Sequence, residues 1–447
     1  MALRRDQIEE AERAQHAAAH DDREHVRVVA GPGTGKSATI EERVWWLLER
    51  GVKPDAIVAI SFTRAAARDL ERRIAGARTK RELDDGPAVA ASTLHSLALR
   101  VLRQANALTA YPADPVVLAQ WELRNIFEAE FGKTVGINGV TRPEQIRRDH
   151  EAYCATGRYD PPSVVPPDPP ISEDERVKFT RFHRPRSQLY SCVLPGEVVA
   201  RCVERMETGT LDPVELLKVE HLIVDEFQDL NPMDLRFVHG MASRGAQLFA
   251  AGDDDQSLYA FRHATPEGIQ RFPHQRAGCG DHTLHHCFRC APAVLDAAQS
   301  LMRTYAAPGR IEKNLVSLWA DADPPVRGRL GAWKVRSGTA EANVIAVTCR
   351  RLIDAGMNPR ELMILLSSTR AQASEIHAAL TTAEVPFSPV READVIDTDA
   401  GRTAYAILSI VVDPMNYVAH RTLLGARRGV GLGVCNEHRC RRYLLRS

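Results

Sequence analysis

The residues best equipped for chemistry in this 447-residue chain lie in the run Ala30-Gly31-Pro32-Gly33-Thr34-Gly35-Lys36-Ser37, between an apolar stretch at 25–29 and a helix-forming segment at 38–48. Three closely spaced glycines, Gly31, Gly33 and Gly35, let the backbone curl so that its N–H groups and the positive end of the next helix face an anion. In such a loop, which also includes Thr34, the lysine (Lys36) reaches the β- and γ-phosphates and the following hydroxyl (Ser37) meets a magnesium ion. Ala30 stands where the simplest form has its first glycine, so this is the relaxed form of the pattern. A second element is the apolar run His221-Leu222-Ile223-Val224, which ends in Asp225 and Glu226. Ligands of open α/β sheets sit outside the carboxyl ends of strands. Two adjacent acids there can divide the labour, Asp225 holding magnesium and Glu226 orienting and deprotonating an attacking water. A lone Asp-Glu pair is equally a solvated turn. Its continuation, Phe227-Gln228-Asp229-Leu230-Asn231-Pro232, makes the pattern more specific. A third apolar run, 247–251, leads into Gly252-Asp253-Asp254-Asp255-Gln256-Ser257-Leu258-Tyr259-Ala260-Phe261-Arg262.

These loops need strands and helices to hold them. Apolar β-rich runs at 26–30, 57–62, 221–224, 247–251 and 362–366 are each followed by a helix-like segment, which suits parallel strands covered on both faces. The expected fold class is therefore α/β with crossover connections. Between 101 and 201 the pattern becomes amphipathic and helical, as at 116–131, and is interrupted by a proline-rich run at 161–170 that can be neither helix nor central strand. The helical region at 108–195 reads as an insertion in the first α/β domain. A second α/β unit is expected from about 284, with its strand–helix signal at 361–380. There is no internal repeat.

Composition is that of a globular protein: 44% hydrophobic and 26% charged residues, which excludes wholesale disorder. The length suits about three domains. Fifty-eight basic residues balance fifty-eight acidic ones, so any nucleic-acid contact must come from a local basic surface. Nine cysteines, and no secretion signal at Met1-Ala2-Leu3-Arg4-Arg5, predict free thiols in a reducing cytoplasm. No apolar run approaches the roughly 20 residues of a membrane span. Cys279, His282, His285, His286, Cys287 and Cys290 fall close together. A structural zinc site usually uses two ligand pairs separated by a longer loop, so ordinary thiols are the favoured reading there. Cys435, His438 and Cys440 give a weaker metal signal.

Taken in order, these segments resemble the superfamily 1 DNA helicases of the UvrD/Rep/PcrA type. The phosphate loop, Asp225 to Asp229 and Gly252 to Arg262 carry the likeness. Ser61-Phe62-Thr63-Arg64-Ala65-Ala66-Ala67 and Thr93-Leu94-His95-Ser96-Leu97 are similar to family segments that touch single-stranded DNA, and Leu284-His285-His286-Cys287-Phe288-Arg289-Cys290 is similar to its fourth motif. The resemblance implies a RecA-like P-loop NTPase domain (1–107 and 196–283) with the helical insertion at 108–195. An incomplete second RecA-like domain (284–420) and the shortened start of an accessory region (421–447) would follow. It implies ATP and Mg2+ as cofactors, with Gln15 recognising adenine and Phe288 stacking on it. Gln256 would sense the γ-phosphate, and Arg289 would act as an arginine finger. Phe62, Tyr259 and Phe261 would stack on bases, while Thr63, Arg64, His95 and Arg262 support the DNA-contacting loops. Taken singly, each phenylalanine is equally a core residue, and Arg289 an ordinary capping or salt-bridging arginine.

The likeness also has gaps. Family members carry two further motifs beyond the point where this sequence stops, and Ala38 stands where relatives often have arginine. The expectation is a C-terminally shortened helicase or translocase of 3′ to 5′ family polarity, acting in DNA repair or recombination. Its expected partners are single-stranded or partly duplex DNA and repair proteins, in the cytoplasm at the nucleoid and away from membranes. The alternative is a nucleotide-gated DNA-binding module with little hydrolysis or unwinding, since both need two lobes that close and reopen.

Overall fold

In the computed structural model, residues 3–80, 89–108, 115–159, 161, 167–388, 396 and 398–426 are described. Six short strands build one parallel sheet: β1 (His25–Ala30), β2 (Ile57–Ile60), β3 (Ala91–Ser92), β4 (His221–Val224), β5 (Gln247–Gly252) and β6 (Gly280–Leu284), in the spatial order β3-β2-β4-β5-β1-β6. β2 and β4 are buried at every position, and β1 and β5 at all but the first, as expected for a sheet covered on both faces. Alternate residues serve different cores. Val58, Ile60, Leu222, Val224, Leu248 and Ala250 face the helices Leu94–Gln104, Pro195–Glu207 and Pro232–Ala242. Val26, Val28, Ala30, Ile57, Ala59, Ile223, Phe249 and Ala251 face the opposite layer, which holds α1 (Arg5–Ala19), α2 (Lys36–Glu49) and the helix Arg64–Lys80. Because β5 lies between β1 and β4, with Val28 beside Ala251 and Val224 beside Ala250, the carboxyl ends of these three strands open side by side.

Four of the five expected strands form. β3 and β6 are additional: two residues of β3 are too few for a pattern, and β6 reads Gly280-Asp281-His282-Thr283-Leu284, polar in the middle because it is an edge. Leu284, expected to begin the second unit, instead closes β6 and pairs with Ala30.

The insertion is helical, with elements at Gln120–Val135, Thr141–Thr156 and Glu173–Leu189 around an aromatic core of Phe127, Phe131, Phe179, Phe182 and Tyr190. The helix expected from 116 begins only at Gln120, because the Val116 backbone is taken up in a bridge to the 191–193 segment. Of the proline-rich run, 162–166 lie outside the described residues. So do 427–447, which hold Cys435, His438, Cys440 and most of the expected accessory region.

Beyond β6, the helices Gly338–Asp354 and Thr369–Thr382 pack on Ala342, Ala346, Cys349, Ile376 and Leu380. The segment 362–366 is apolar and extended but joins no ladder among the described residues. Leu362, Ile364 and Leu366 lean on the helices while Met363 and Leu365 are 82% and 85% exposed. The strand expected here is therefore not formed, since a strand requires a neighbour to pair with. The helix Tyr417–Ala426 returns to the insertion, where Tyr417 and Val418 enter its core and Arg421 Nε donates to Glu130 Oε1 at 2.6 Å. Among the described residues no helix is long and apolar enough to cross a membrane.

Candidate nucleotide site and nucleic-acid interface

The loop between β1 and α2 has Gly33 and Gly35 at φ of 72° and 94°, a left-handed conformation that glycine adopts without steric cost. Gly35 sits at the N-cap of α2 and supplies no side-chain cap, so the first N–H groups of the helix remain directed at the loop. Thr34 Oγ1 donates to the Gly31 carbonyl at 2.9 Å, and Gln15 Nε2 donates to the Thr34 carbonyl at 3.0 Å. Gln15 thus lies against the loop, with its amide on the backbone. Lys36 and Ser37 open α2. Lys36 Nζ lies 2.9 Å from Asp225 Oδ1 and also contacts Glu226 Oε2, which brings the ends of β1 and β4 to one point.

Glu226 has φ 53° and ψ 45°, an uncommon conformation for a residue with a side chain and one that clusters at functional sites. Burial works against the charge on Lys36, but the Asp225 and Glu226 carboxylates outweigh it and hold the ammonium above its ordinary value. Burial, assisted by the Glu226 charge, pushes the Asp225 carboxyl up. Glu226 is more exposed, and Lys36 outweighs its burial to hold it below the usual range. Glu226 is thus the more readily ionised acid. Asp229 is pushed up to about 6 by burial and by the Glu226 charge.

Sequence reading assigned no role to Gln228, yet it joins two loops. Its Nε2 donates to Glu226 Oε2 at 2.8 Å, and its Oε1 accepts the Asp253 N–H at 3.0 Å. Gln256 Nε2 in turn donates to Asp253 Oδ2 at 2.6 Å. The chain Lys36–Glu226–Gln228–Asp253–Gln256 therefore runs from the loop between β1 and α2 to the segment after β5. Lys313 was also missed. Its buried ammonium meets Asp253 Oδ1 at 2.8 Å, Asp255 Oδ2 at 3.1 Å and Asp254, while Arg310 pairs with Asp255 through two 2.7 Å hydrogen bonds. Nothing in the spacing of residues 305–315 signals that a cation there neutralises three acids some 60 positions earlier.

Past Gln256 the chain presents aromatic rings. Phe62 and Tyr259 lie 4.5 Å apart and Tyr259 and Phe261 5.8 Å apart, with the Arg262 guanidinium 5.7 Å from the Phe62 ring. Phe261 is 69% exposed and Leu258 77%; the sequence reading assigned Leu258 no role. Thr63 Oγ1 accepts the Ala66 N–H at 3.1 Å, capping the helix on which exposed Arg64 begins. His95 is exposed in the first turn of Leu94–Gln104, on a different helix from the ring cluster.

Residues just after β6 close over the loop. Phe288 N–H donates to the Gly33 carbonyl at 2.9 Å and Cys287 Sγ to the Pro32 carbonyl at 2.9 Å. Arg289 is exposed and so near that a Cβ on Gly33 would overlap it. Phe288 also holds Trp319, whose Nε1 donates to its carbonyl at 2.8 Å. Cys279, Cys287 and Cys290 form no disulfide, and none of the groups among the described residues able to hold a metal includes 279–290.

Residues 11–152 and 215–277 match the family described as the UvrD/REP helicase N-terminal domain. Among curated relatives, DNA helicase II of Haemophilus influenzae is 23% identical over 410 residues, covering 90% of this chain and 54% of that protein. The ATP-dependent DNA helicase PcrA of Leuconostoc citreum is 23% identical over 430 residues, 90% and 53% respectively. The ATP-dependent DNA helicase UvrD1 of Mycobacterium tuberculosis is 26% identical over 429 residues, again 90% and 53%. The chain spans about half the length of the curated relatives it matches.

Proposed function

We propose that this chain binds Mg-ATP in the loop between β1 and α2 and uses its hydrolysis to drive a DNA helicase or translocase, in keeping with the match of residues 11–152 and 215–277 to the UvrD/REP helicase N-terminal domain. The observation that carries this reading is the convergence of Lys36, Asp225 and Glu226 at the carboxyl edge of the sheet, joined through Gln228 and Asp253 to Gln256. The residues fit the nucleotide. At Gly31, Gly33 and Gly35 a Cβ would collide with Leu315, Arg289 and Gln15, so only glycine allows this tight loop, and an anion held by it would take over Lys36 from the carboxylates. Ser37 and Asp225 would hold Mg2+, which would neutralise charge on the β- and γ-phosphates. Lys36 binds the phosphates, and Glu226, once released, accepts the proton of the attacking water. Gln15 and Phe288 are the proposed base-side contacts, and Thr34 shapes the loop. Gln256 transmits occupancy of the site to the segment bearing Tyr259 and Phe261, and Arg289 lends positive charge from the far side of the loop.

Phe62, Tyr259 and Phe261 form the proposed stacking surface for single-stranded DNA, with Thr63, Arg64, His95 and Arg262 at the backbone. The assignment extends to 3′ to 5′ polarity and a repair or recombination setting at the nucleoid. The proposed domains are 1–107 with 196–283, the insertion 108–195, and the second lobe 284–420. A second reading, a nucleotide-gated DNA-binding module, is favoured by the 362–366 segment, which joins no ladder among the described residues. Steady-state ATPase assays with and without single-stranded DNA decide between them. Stimulation by DNA supports the motor; Mg-ATP binding without DNA-stimulated turnover supports the module; no Mg-nucleotide binding by calorimetry overturns both.

A further inference from the structure

Two helices of the insertion and the sheet-covering helix Pro195–Glu207 beside it each contribute one polar side chain to a cluster at the edge of the aromatic core. His150 comes from Thr141–Thr156, His183 from Glu173–Leu189 and Glu197 from the first turn of Pro195–Glu207. His150 Nε2 lies 3.1 Å from Glu197 Oε1 and His183 Nε2 lies 2.5 Å from the same oxygen. The three ligand atoms all fall within 4.8 Å of one another. A fourth donor is adjacent: Cys154, one turn after His150 and on the same helix face, has its Sγ 3.6 Å from His150 Nε2. The side chains of His183 and Glu197 are 6% and 8% exposed, and that of His150 19%.

The surroundings fix these groups before anything binds. Glu197 Oε2 is held by the Leu194 N–H at 3.1 Å, with Arg201 3.6 Å away, which leaves Oε1 for the histidines. The His183 ring is stacked on Phe179 and edge-on to Phe127, and His150 packs against Phe179. Two imidazoles and a carboxylate meet at one point from three helices, and the Cys154 thiol, outside that trio, stands beside one of the imidazoles; with the thiol drawn in, this is a borderline-soft donor set, and four protein ligands make a closed, structural site rather than a catalytic one.

The geometry points to a structural divalent-metal site, best suited to Zn2+, formed by His150, His183 and Glu197 with Cys154 as the fourth ligand. On binding, each imidazole would ligate in its neutral form through Nε2 with its proton on Nδ1, the thiol would release its proton to solvent, and the metal would pin the three helices together. The site is separate from the nucleotide chemistry. His183 and Glu197 lie outside the segments that match the helicase domain, 11–152 and 215–277, so the site would join the insertion to the neighbouring helix Pro195–Glu207.

The test uses the full chain stripped with a chelator, then titrated with Co2+ and with Zn2+. The expected result is uptake of about one ion per chain, tetrahedral cobalt bands in the visible with a thiolate charge-transfer band, and a rise in melting temperature with zinc. Cys154→Ser should abolish the charge-transfer band while retaining the visible bands, and His183→Gln should lose both the ion and the thermal shift. Uptake and spectrum unchanged in Cys154→Ser and in the double variant His150→Gln/His183→Gln would move the metal to the other cysteines and overturn the assignment. No retained metal and no cobalt spectrum in the parent chain would reduce the cluster to a hydrogen-bonded His-Glu-His group. Should His183→Gln fail to fold, the parent and Cys154→Ser spectra decide alone.

Discussion

Glu226 is held in a left-handed backbone conformation with its carboxylate on Lys36 and Gln228. The position constrains the acid without burying it fully, which suits the proposed role of a base that changes partners on nucleotide binding. Glu226→Gln should keep nucleotide affinity within a few-fold by calorimetry and lower turnover by roughly 100-fold or more, the usual loss when a general base is removed; turnover at the parental rate would assign the base elsewhere. Phe261 is the most exposed ring of its cluster. Phe261→Ala should weaken single-stranded DNA binding by about 1–3 kcal/mol, read by fluorescence anisotropy, and leave nucleotide binding unchanged. An unaltered DNA affinity would return that ring to the ordinary solvent-exposed surface.

At the scale of elements, two buried ionisable groups bear on stability. Lys313 ties the segment after Pro292–Thr304 to the three aspartates that follow β5. Removing one partner of a buried ion pair typically costs about 3–5 kcal/mol because the other charge is left uncompensated. Lys313→Met should therefore destabilise the chain strongly in a denaturant melt, and further substitution of Asp253 and Asp254 by Asn should recover part of the loss. His221, at the start of β4, is held down to about 4 by burial and by the nearby Arg43. The unfolded imidazole takes a proton near pH 6.5 whereas the folded one waits until about 4, so this group's share of stability is present above 6.5 and is lost as pH falls between those values. Stability should drop by about 2 kcal/mol between pH 7 and pH 5 through this residue. His221→Gln should flatten that part of the pH profile.

Over the whole molecule the formal charge is zero, so DNA affinity depends on how charge is distributed over the surface. Binding to single-stranded DNA should fall with salt, with a slope of about 0.7 per phosphate neutralised, and should vary little with base sequence. A marked sequence preference in competition titrations would argue against a stacking groove. The same global view accounts for which features were legible in the sequence. Gly31 to Ser37, Asp225, Glu226 and Gln256 stood out as a proposed site because phosphate chemistry demands particular residue types at short spacing, and β1, β2, β4 and β5 were legible because buried parallel strands are uniformly apolar. The 362–366 segment has the same composition as those strands and still forms no ladder among the described residues, because pairing depends on a neighbour and not on composition. Lys313, Gln228 and the His150–His183–Glu197 cluster were invisible because their partners are remote in sequence or carry no motif. Local chain chemistry thus determined the phosphate loop and the strands that carry it. Tertiary structure alone decided which distant charges meet, because burying an ionisable group is tolerable only where folding delivers a partner to it.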